Sequence, residues 1–315
     1  MTTSVFIDGA AGTTGLEIRE RLAGRPEFSL LRLPDNLRKD AAARREAIND
    51  CDVAILCLPD DAAREAVELI DPAAKTRIVD ASSAHRVADG WTYGFPELIG
   101  RETVAEATRI SNPGCYPTGF LALVAPLVRG GLLPANWPYS VNAVSGYSGG
   151  GNALIDRFEA DRTIAWRGYG LRLGHKHLAE MQHYAALAHA PLFSPAVVDA
   201  HRGMAVDVPL ALGAMSGAGS VAHIHAALSE FYAASPIVRV LPAGTAPAEL
   251  LLRKDAAPWD GLDLYVFGND DGSQARLIAR LDNLGKGASG AAVQSLNLMA
   301  GLPEETGLSL DSPAD

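Results

Sequence analysis

Short apolar runs alternate with helical periodicities along the first third of the chain. Residues 5–8 form an apolar strand that runs into Gly9-Ala10-Ala11-Gly12-Thr13-Thr14-Gly15, and a helix with Leu16, Ile18 and Leu22 as its buried positions follows. Residues 28–33 read as a second strand, followed by a polar, basic loop and an alanine-rich helix. Residues 53–58 are continuously apolar, as expected of a strand buried on both faces. Asp60 or Asp61 can cap the next helix, where Ala63, Ala66, Val67 and Ile70 recur at helical spacing. Residues 77–80 and 109–111 are further short strands. Such strand–helix–strand repetition predicts a parallel, doubly wound α/β sheet with right-handed crossovers.

The pattern changes after about residue 116. Residues 141–145, 197–199, 204–212, 237–241, 262–267 and 274–281 are strand-like, and Met204, Val206, Val208, Leu210 and Leu212 alternate with other residues. Alternation of this kind suits a mixed or antiparallel sheet covered on one face. Helices at 118–129, 176–187 and 220–234 would cover it. The last helical stretch, 286–300, carries Val293, Leu296 and Ala300 on one stripe and returns to the first domain, leaving a polar tail at 309–315 expected to fray. The expected division is a dinucleotide-binding domain of residues 1–115 with 285–315, and an α+β substrate and oligomerisation domain of residues 116–284.

Gly9-x-x-Gly12-x-x-Gly15 lies between a strand and a helix, the context of a Rossmann-type dinucleotide site. The first glycine permits the tight turn, the second lets backbone approach a pyrophosphate, and the third allows close helix–strand packing. Ala11, Thr13 and Thr14 complete the loop, whose helix offers free N–H groups to phosphates. Past the second strand, Asp35 can serve the ribose hydroxyls of NAD, whereas Arg38 or Lys39 can clamp the extra phosphate of NADP. Two cations against one carboxylate favour NADP. Pro59 and Ser82 follow the third and fourth strands, at the sheet edge where cofactors bind.

Ser111-Asn112-Pro113-Gly114-Cys115-Tyr116-Pro117-Thr118-Gly119 follows a strand and precedes a helix, which puts Cys115 in a turn at a helix N-terminus. A helix N-terminus favours thiolate over thiol, and its N–H groups can receive an oxyanion. Cys57, inside an apolar run, and Cys51, just before it, read instead as inert core residues. Glu180 lies three residues after His177 and can orient that imidazole if the helix begins near it. His175-x-His177 with His183, and His223-x-His225, lack the further ligands or geometry of a metal site.

Composition narrows the function classes. Net charge is −10 (27 Lys and Arg against 37 Asp and Glu) with no block of one sign, which argues against a nucleic-acid partner. No apolar stretch approaches the ~20 residues of a membrane span, and Met1 is not followed by a signal-peptide pattern. Three cysteines make no disulfide framework. The expectation is a cytoplasmic enzyme.

The segment 112–119 resembles the active-site signature of the N-acetyl-gamma-glutamyl-phosphate reductase family, in its shorter sequence type. The likeness extends to Gly9–Gly15, to Asp80-Ala81-Ser82-Ser83-Ala84-His85-Arg86, to Val144-Ser145-Gly146-Tyr147-Ser148-Gly149-Gly150-Gly151, to Gly174-His175-Lys176-His177 and to Asp282-Asn283-Leu284-Gly285-Lys286-Gly287. One departure is Ala84-His85-Arg86, where the family more often has an Asp-Phe-Arg run. The resemblance implies an NADP-dependent acyl-phosphate reductase of arginine biosynthesis, with Cys115 as nucleophile, His177 as base and His175 near the substrate. It also implies a homo-oligomer, expected to be a tetramer. For such a substrate Arg86 is the first phosphate ligand to consider, with Lys176 behind it. Ser145, Tyr147 and Ser148 either bond the anion or acyl chain or serve as turn residues. Asn283 resembles the family's nicotinamide-side residue. Reductases of aminoadipyl or aspartyl phosphate, and a non-catalytic nucleotide-sensing protein, are the alternatives.

Overall fold

A computed structural model describes residues 2–244 and 247–312. The chain forms two compact units, one of Met1–Pro113 with Ala288–Leu308 and one of Gly114–Gly287 with Ser309–Asp315.

The first unit is built on six parallel strands: β1 (Thr3–Asp8), β2 (Phe28–Leu31), β3 (Val53–Leu56), β4 (Arg77–Asp80), β5 (Thr92–Tyr93) and β6 (Arg109–Ser111). Their order is β2-β1-β3-β4-β6-β5. Between them lie α1 (Thr13–Leu22), α2 (Ala41–Asp50), α3 (Asp60–Glu68) and the short α4 (Pro96–Ile99) and α5 (Arg101–Glu106). Alternate residues feed two cores. Val5, Ile7, Val53, Ile55 and Val79 pack with Ile18 and Leu22 of α1 and with Val293 and Leu296 of the C-terminal helix, Gly290–Met299. Phe6, Ala54, Leu56 and Ile78 pack with Ile48 of α2 and Ala66 of α3 on the other face. Burial of both faces explains the unbroken apolar look of β3.

Three local expectations are corrected. β2 ends at Leu31, so Asp35 lies in the turns that follow, and Leu16 is half-buried at a cleft rather than in the core. Neither Asp60 nor Asp61 caps α3, because Pro59 occupies that position and the Asp60 carboxylate accepts both the N–H and the hydroxyl of Ser83 instead. Asp40 does cap α2, accepting the Ala43 N–H at 2.8 Å.

The second unit opens with α6 (Cys115–Arg129), which begins at the cysteine itself, three residues earlier than its apolar pattern suggested. β7 (Ser140–Gly146), α7 (Asn152–Ala160), β8 (Trp166–Gly168), α8 (Leu178–Tyr184), β9 (Leu192–Val198), β10 (Met204–Leu210), α9 (Val221–Phe231), β11 (Val238–Val240), β12 (Leu262–Gly268) and β13 (Ala275–Leu281) follow. The strands form one mixed sheet in the order β11-β12-β13-β10-β7-β9-β8. Helix α6 lies on β10 and β13, whose buried Val206, Val208, Leu277 and Ala279 supply the alternating face. The Tyr232 hydroxyl at the end of α9 donates to the Ala122 carbonyl of α6 at 2.9 Å.

Segments 285–287 and 309–312 belong to this second unit, not to the first as expected. Ser309 exchanges backbone bonds with Asp260, donating to its carboxylate and accepting its N–H, and the Ser312 hydroxyl bonds Asp263. Residues 309–312 are therefore tied down rather than frayed; 313–315 lie outside the described residues.

Arg77 in β4 holds two helix ends at once. Its guanidinium donates to Ala105 and Ala107 at the end of α5, and to Met299 at the end of the C-terminal helix at 2.7 Å. Carbonyls at helix C-termini lack intrahelical donors, so a cation is favoured there. Arg77→Met should cost about 2–3 kcal/mol by leaving those carbonyls unpaired, read as a lowered urea midpoint with unchanged far-ultraviolet circular dichroism. A midpoint equal to wild type would show that water replaces the guanidinium.

Candidate active site

In the first unit the glycine loop closes one end of a cleft of about 840 Å³. Gly9 has φ +85°, and a Cβ there would sit 2.2 Å from the Cys57 carbonyl oxygen, so only glycine lets β1 turn beside β3. A Cβ on Gly15 would lie 2.6 Å from the Gly9 carbonyl, the close helix–strand packing expected of the third glycine. Gly12, the N-cap of α1, has room around its Cα, with no atom nearer than 3.5 Å to such a Cβ. The first turn of α1, Thr13, Thr14 and Gly15, thus presents N–H groups past an open Gly12, with Ala11 exposed beside it.

The far end of the cleft carries Arg32, Asp35, Arg38 and Lys39. Asp35 and Arg38, weighed above as rivals, pair with each other at 3.3 Å, and their side chains are 94% and 50% exposed. Neither is fixed by packing. Pro59 caps α3, and its neighbours Leu58 and Ala62 line the cleft.

After β4 the chain turns on the buried Asp80 carboxylate, which accepts the Ser82 N–H (2.9 Å) and hydroxyl (2.7 Å) and lies 2.6 Å from Nδ1 of His85. The His85 ring stacks on Trp91 with centroids 4.1 Å apart. The Ser82 hydroxyl also accepts the Ala84 N–H at 3.1 Å, and the Asp80 bond with the Trp91 stack accounts for a histidine at position 85. The turn delivers the buried Arg86, whose Nε donates to the Asn112 carbonyl at 3.0 Å. Asn112 lies three residues before Cys115 in sequence.

In the second unit Cys115 is the first residue of α6, with Gly114 as N-cap. A Cβ on Gly287 would come 2.9 Å from the Cys115 Cβ, so glycine at 287 leaves the thiol its space. His177 precedes α8 directly, and its N–H donates to Nδ1 of His175 at 3.1 Å. The two imidazoles lie 4.5 Å apart, and the Tyr116 ring is 5.8 Å from that of His177. Glu180, buried on the next turn, accepts the Gly114 N–H at 3.1 Å. That bond joins the histidine helix to the cap of the cysteine helix, which spacing along the chain did not reveal.

Ser145, Ser148 and Asn283 converge around Gly149. The Ser145 hydroxyl bonds the Gly146 carbonyl, and the Ser148 hydroxyl donates to the His201 carbonyl while accepting from Nδ2 of Asn283 at 2.9 Å. Among the described residues, Oδ1 of Asn283 is buried with no hydrogen-bond partner. Buried acceptors are rarely left so, and a carboxamide N–H is the kind of donor this atom fits.

The other cysteines contrast with Cys115. Burial pushes the Cys51 and Cys57 thiols up to about 12, with nearby aspartates adding to the effect. Burial likewise raises Tyr116 and Tyr169, so both hydroxyls keep their protons at neutral pH.

Two family models match the chain: "Semialdehyde dehydrogenase, NAD binding domain" over residues 34–107 and "Semialdehyde dehydrogenase, dimerisation domain" over residues 115–283. Among curated proteins, N-acetyl-gamma-glutamyl-phosphate reductase 2 of Nostoc sp. is 50% identical over 321 residues, covering 96% of this chain and 98% of that one. The N-acetyl-gamma-glutamyl-phosphate reductase of Brucella ovis is 50% identical over 311 residues, covering 96% of this chain and 100% of that one. The chain belongs to the N-acetyl-gamma-glutamyl-phosphate reductase family. This member shares its fold with aspartate semialdehyde dehydrogenase II from Vibrio cholerae, at TM-score 0.69 and 18% identity over 95% of this chain and 98% of that one. The aspartate semialdehyde dehydrogenase solved with NADP from Candida albicans has the same fold, at TM-score 0.63 and 13% identity over 95% of this chain and 98% of that one. In this reductase-family chain Lys286 is buried. It lies in the wide helical turn Gly285–Ser289, directly ahead of the C-terminal helix.

Thiols pushed to about 12 stay protonated at pH 8, so Cys51 and Cys57 should resist iodoacetamide there. One alkyl group per chain, mapped to Cys115 by peptide mass spectrometry, is the expected result. Faster labelling of Cys57 than of Cys115 would overturn this ranking.

Proposed function

We propose that this chain reduces N-acetylglutamyl 5-phosphate to N-acetylglutamate 5-semialdehyde and phosphate, with NADPH as reductant. The observation that carries this reading is Cys115 at the start of α6, with its cap held by Glu180 and with His177 on the adjoining helix. In this reading His177 takes the thiol proton as the Cys115 sulfur attacks the acyl carbon. The carbon–oxygen bond to phosphate breaks, phosphate departs with the electron pair, and an acyl thioester remains on Cys115. The N–H groups of Cys115 and Tyr116 stabilise the oxyanion, since Gly114 is engaged and Pro117 has none. NADPH, when bound, supplies the hydride that reduces the thioester. The His177 imidazolium gives its proton to the oxyanion that hydride addition leaves, forming the thiohemiacetal, then takes it back as the carbon–sulfur bond breaks, releasing aldehyde and a thiolate that recovers the proton. Glu180 supports the imidazolium electrostatically and keeps α8 against the cap of α6.

Arg86 receives the phosphoryl group, because a guanidinium can bind phosphate bidentately and this one is positioned by the Asn112 carbonyl. Ser145, Ser148 and His175 line the acyl side. The cofactor's pyrophosphate lies along Gly9–Gly15, with its adenosine toward the basic end of the same cleft. Arg38 and Lys39 add positive charge at that end. Assembly as a homotetramer in the cytoplasm completes the reading, in keeping with three free cysteines and a dimerisation-type second domain.

The direct assay follows NADPH formation from the semialdehyde, NADP and phosphate. Cys115→Ser should abolish it while NADPH binding persists, since a hydroxyl does not ionise usefully at this pH; near-normal turnover would remove Cys115 as nucleophile. His177→Asn should slow turnover by about 10²–10⁴-fold and also slow alkylation of Cys115. An alkylation rate and pH profile like those of wild type would leave His177 a structural role only.

A further inference from the structure

Arg44, in the first turn of α2, is a cation lining the cofactor cleft that two hydrogen bonds hold in place. Its Nε and Nη2 both donate to Oδ2 of Asp8, at 3.0 and 2.8 Å. Asp8 ends β1, directly before Gly9, and is buried; the Arg44 side chain is only 13% exposed and lines the cleft. An arginine has five N–H groups, and the bonds to Asp8 use two of them. The guanidinium is therefore fixed beside the first glycine with donors to spare. Arg38, in contrast, is half exposed and paired with Asp35, which is almost wholly exposed.

The location is informative. In a doubly wound dinucleotide site the adenosine ribose sits between the first glycine and the end of the second strand, where an acidic residue selects NAD and an arginine accommodates a 2′-phosphate. β2 ends at Leu31 and is followed by Arg32, so no carboxylate stands at the strand end. Asp8 is the acidic group closest in sequence to the glycine turn, and its charge is already met by Arg44. A rigid guanidinium loses less freedom on gripping a phosphate than an exposed one.

We infer that Arg44, oriented by Asp8, is the residue that recognises the 2′-phosphate of the adenosine ribose and so sets the preference for NADP over NAD. This rests on the dinucleotide reading above and deepens it. Asp8 acts through Arg44 and is a positioning residue.

The test measures binding rather than turnover. Dissociation constants of 2′,5′-ADP and 5′-ADP are determined calorimetrically for the full-length wild type, Arg44→Met, Arg44→Lys and Arg38→Ala, with thermal melts confirming that each is folded. Wild type should prefer 2′,5′-ADP. Arg44→Met should weaken 2′,5′-ADP at least tenfold and 5′-ADP less than twofold. Arg44→Lys keeps a cation against Asp8, so it remains folded if the methionine variant does not; it should still lose at least threefold on 2′,5′-ADP alone. Arg38→Ala should change the ratio by less than Arg44→Lys does. Equal weakening of both nucleotides, or an unchanged ratio in both Arg44 variants, would make Arg44 a strut and overturn the inference while leaving NADP in place. A wild type that prefers 5′-ADP would overturn the NADP reading itself.

Discussion

The hydrogen bond from the Gly114 N–H to the Glu180 carboxylate ties together the parts of the second unit that carry its chemistry. Gly114 caps α6 and so sets where Cys115 stands; Glu180 lies one turn into α8 and so sets where His177 stands. A buried carboxylate needs donors, and a helix cap has N–H groups to offer, so each satisfies the other. The aromatic cluster of Tyr116, His175, His177 and Phe193 closes around that joint with centroids 4.5–6.2 Å apart. A cysteine and histidine arranged this way are positioned by packing rather than by loop chance.

The first unit depends on a different economy. Its sheet buries both faces, which leaves the carboxyl ends of the strands as the place for polar work. There the buried carboxylates Asp8 and Asp80 each organise one turn, Asp8 through Arg44 and Asp80 through Ser82 and His85. The first of these holds a cation beside the glycine loop; the second presents Arg86.

Much of this was legible in the chain. β3, β10, β12 and β13 were readable because their apolar periods are continuous or alternating, and the glycine loop because Gly9 sits between an apolar strand and a helix. The short strands Thr92–Tyr93 and Trp166–Gly168 were not, since two or three residues carry no period. Helix α6 began earlier than its apolar stripe because Cys115, Tyr116 and Pro117 form its first turn without the usual polar cap. The candidate residues near Cys115 came from motif and chemistry, but their couplings did not. Gly114 and Glu180 are 66 residues apart, Asp8 and Arg44 36, and Ser148 and Asn283 135, so local pattern held no trace of them. Arg38 drew attention because it lies in the loop after the second strand, whereas the bond that ties Arg44 to Asp8 is made only in space.

The central claim is that the reaction passes through an acyl group on Cys115. Mixing the protein with N-acetylglutamyl 5-phosphate without reductant, quenching in acid and weighing the intact chain tests it most directly. The account predicts a mass increase of one N-acetylglutamyl group per chain, mapped to the peptide that carries Cys115 and discharged as aldehyde when NADPH is added before the quench. A chain that reduces the substrate but never carries the adduct, or carries it on another residue, would contradict it.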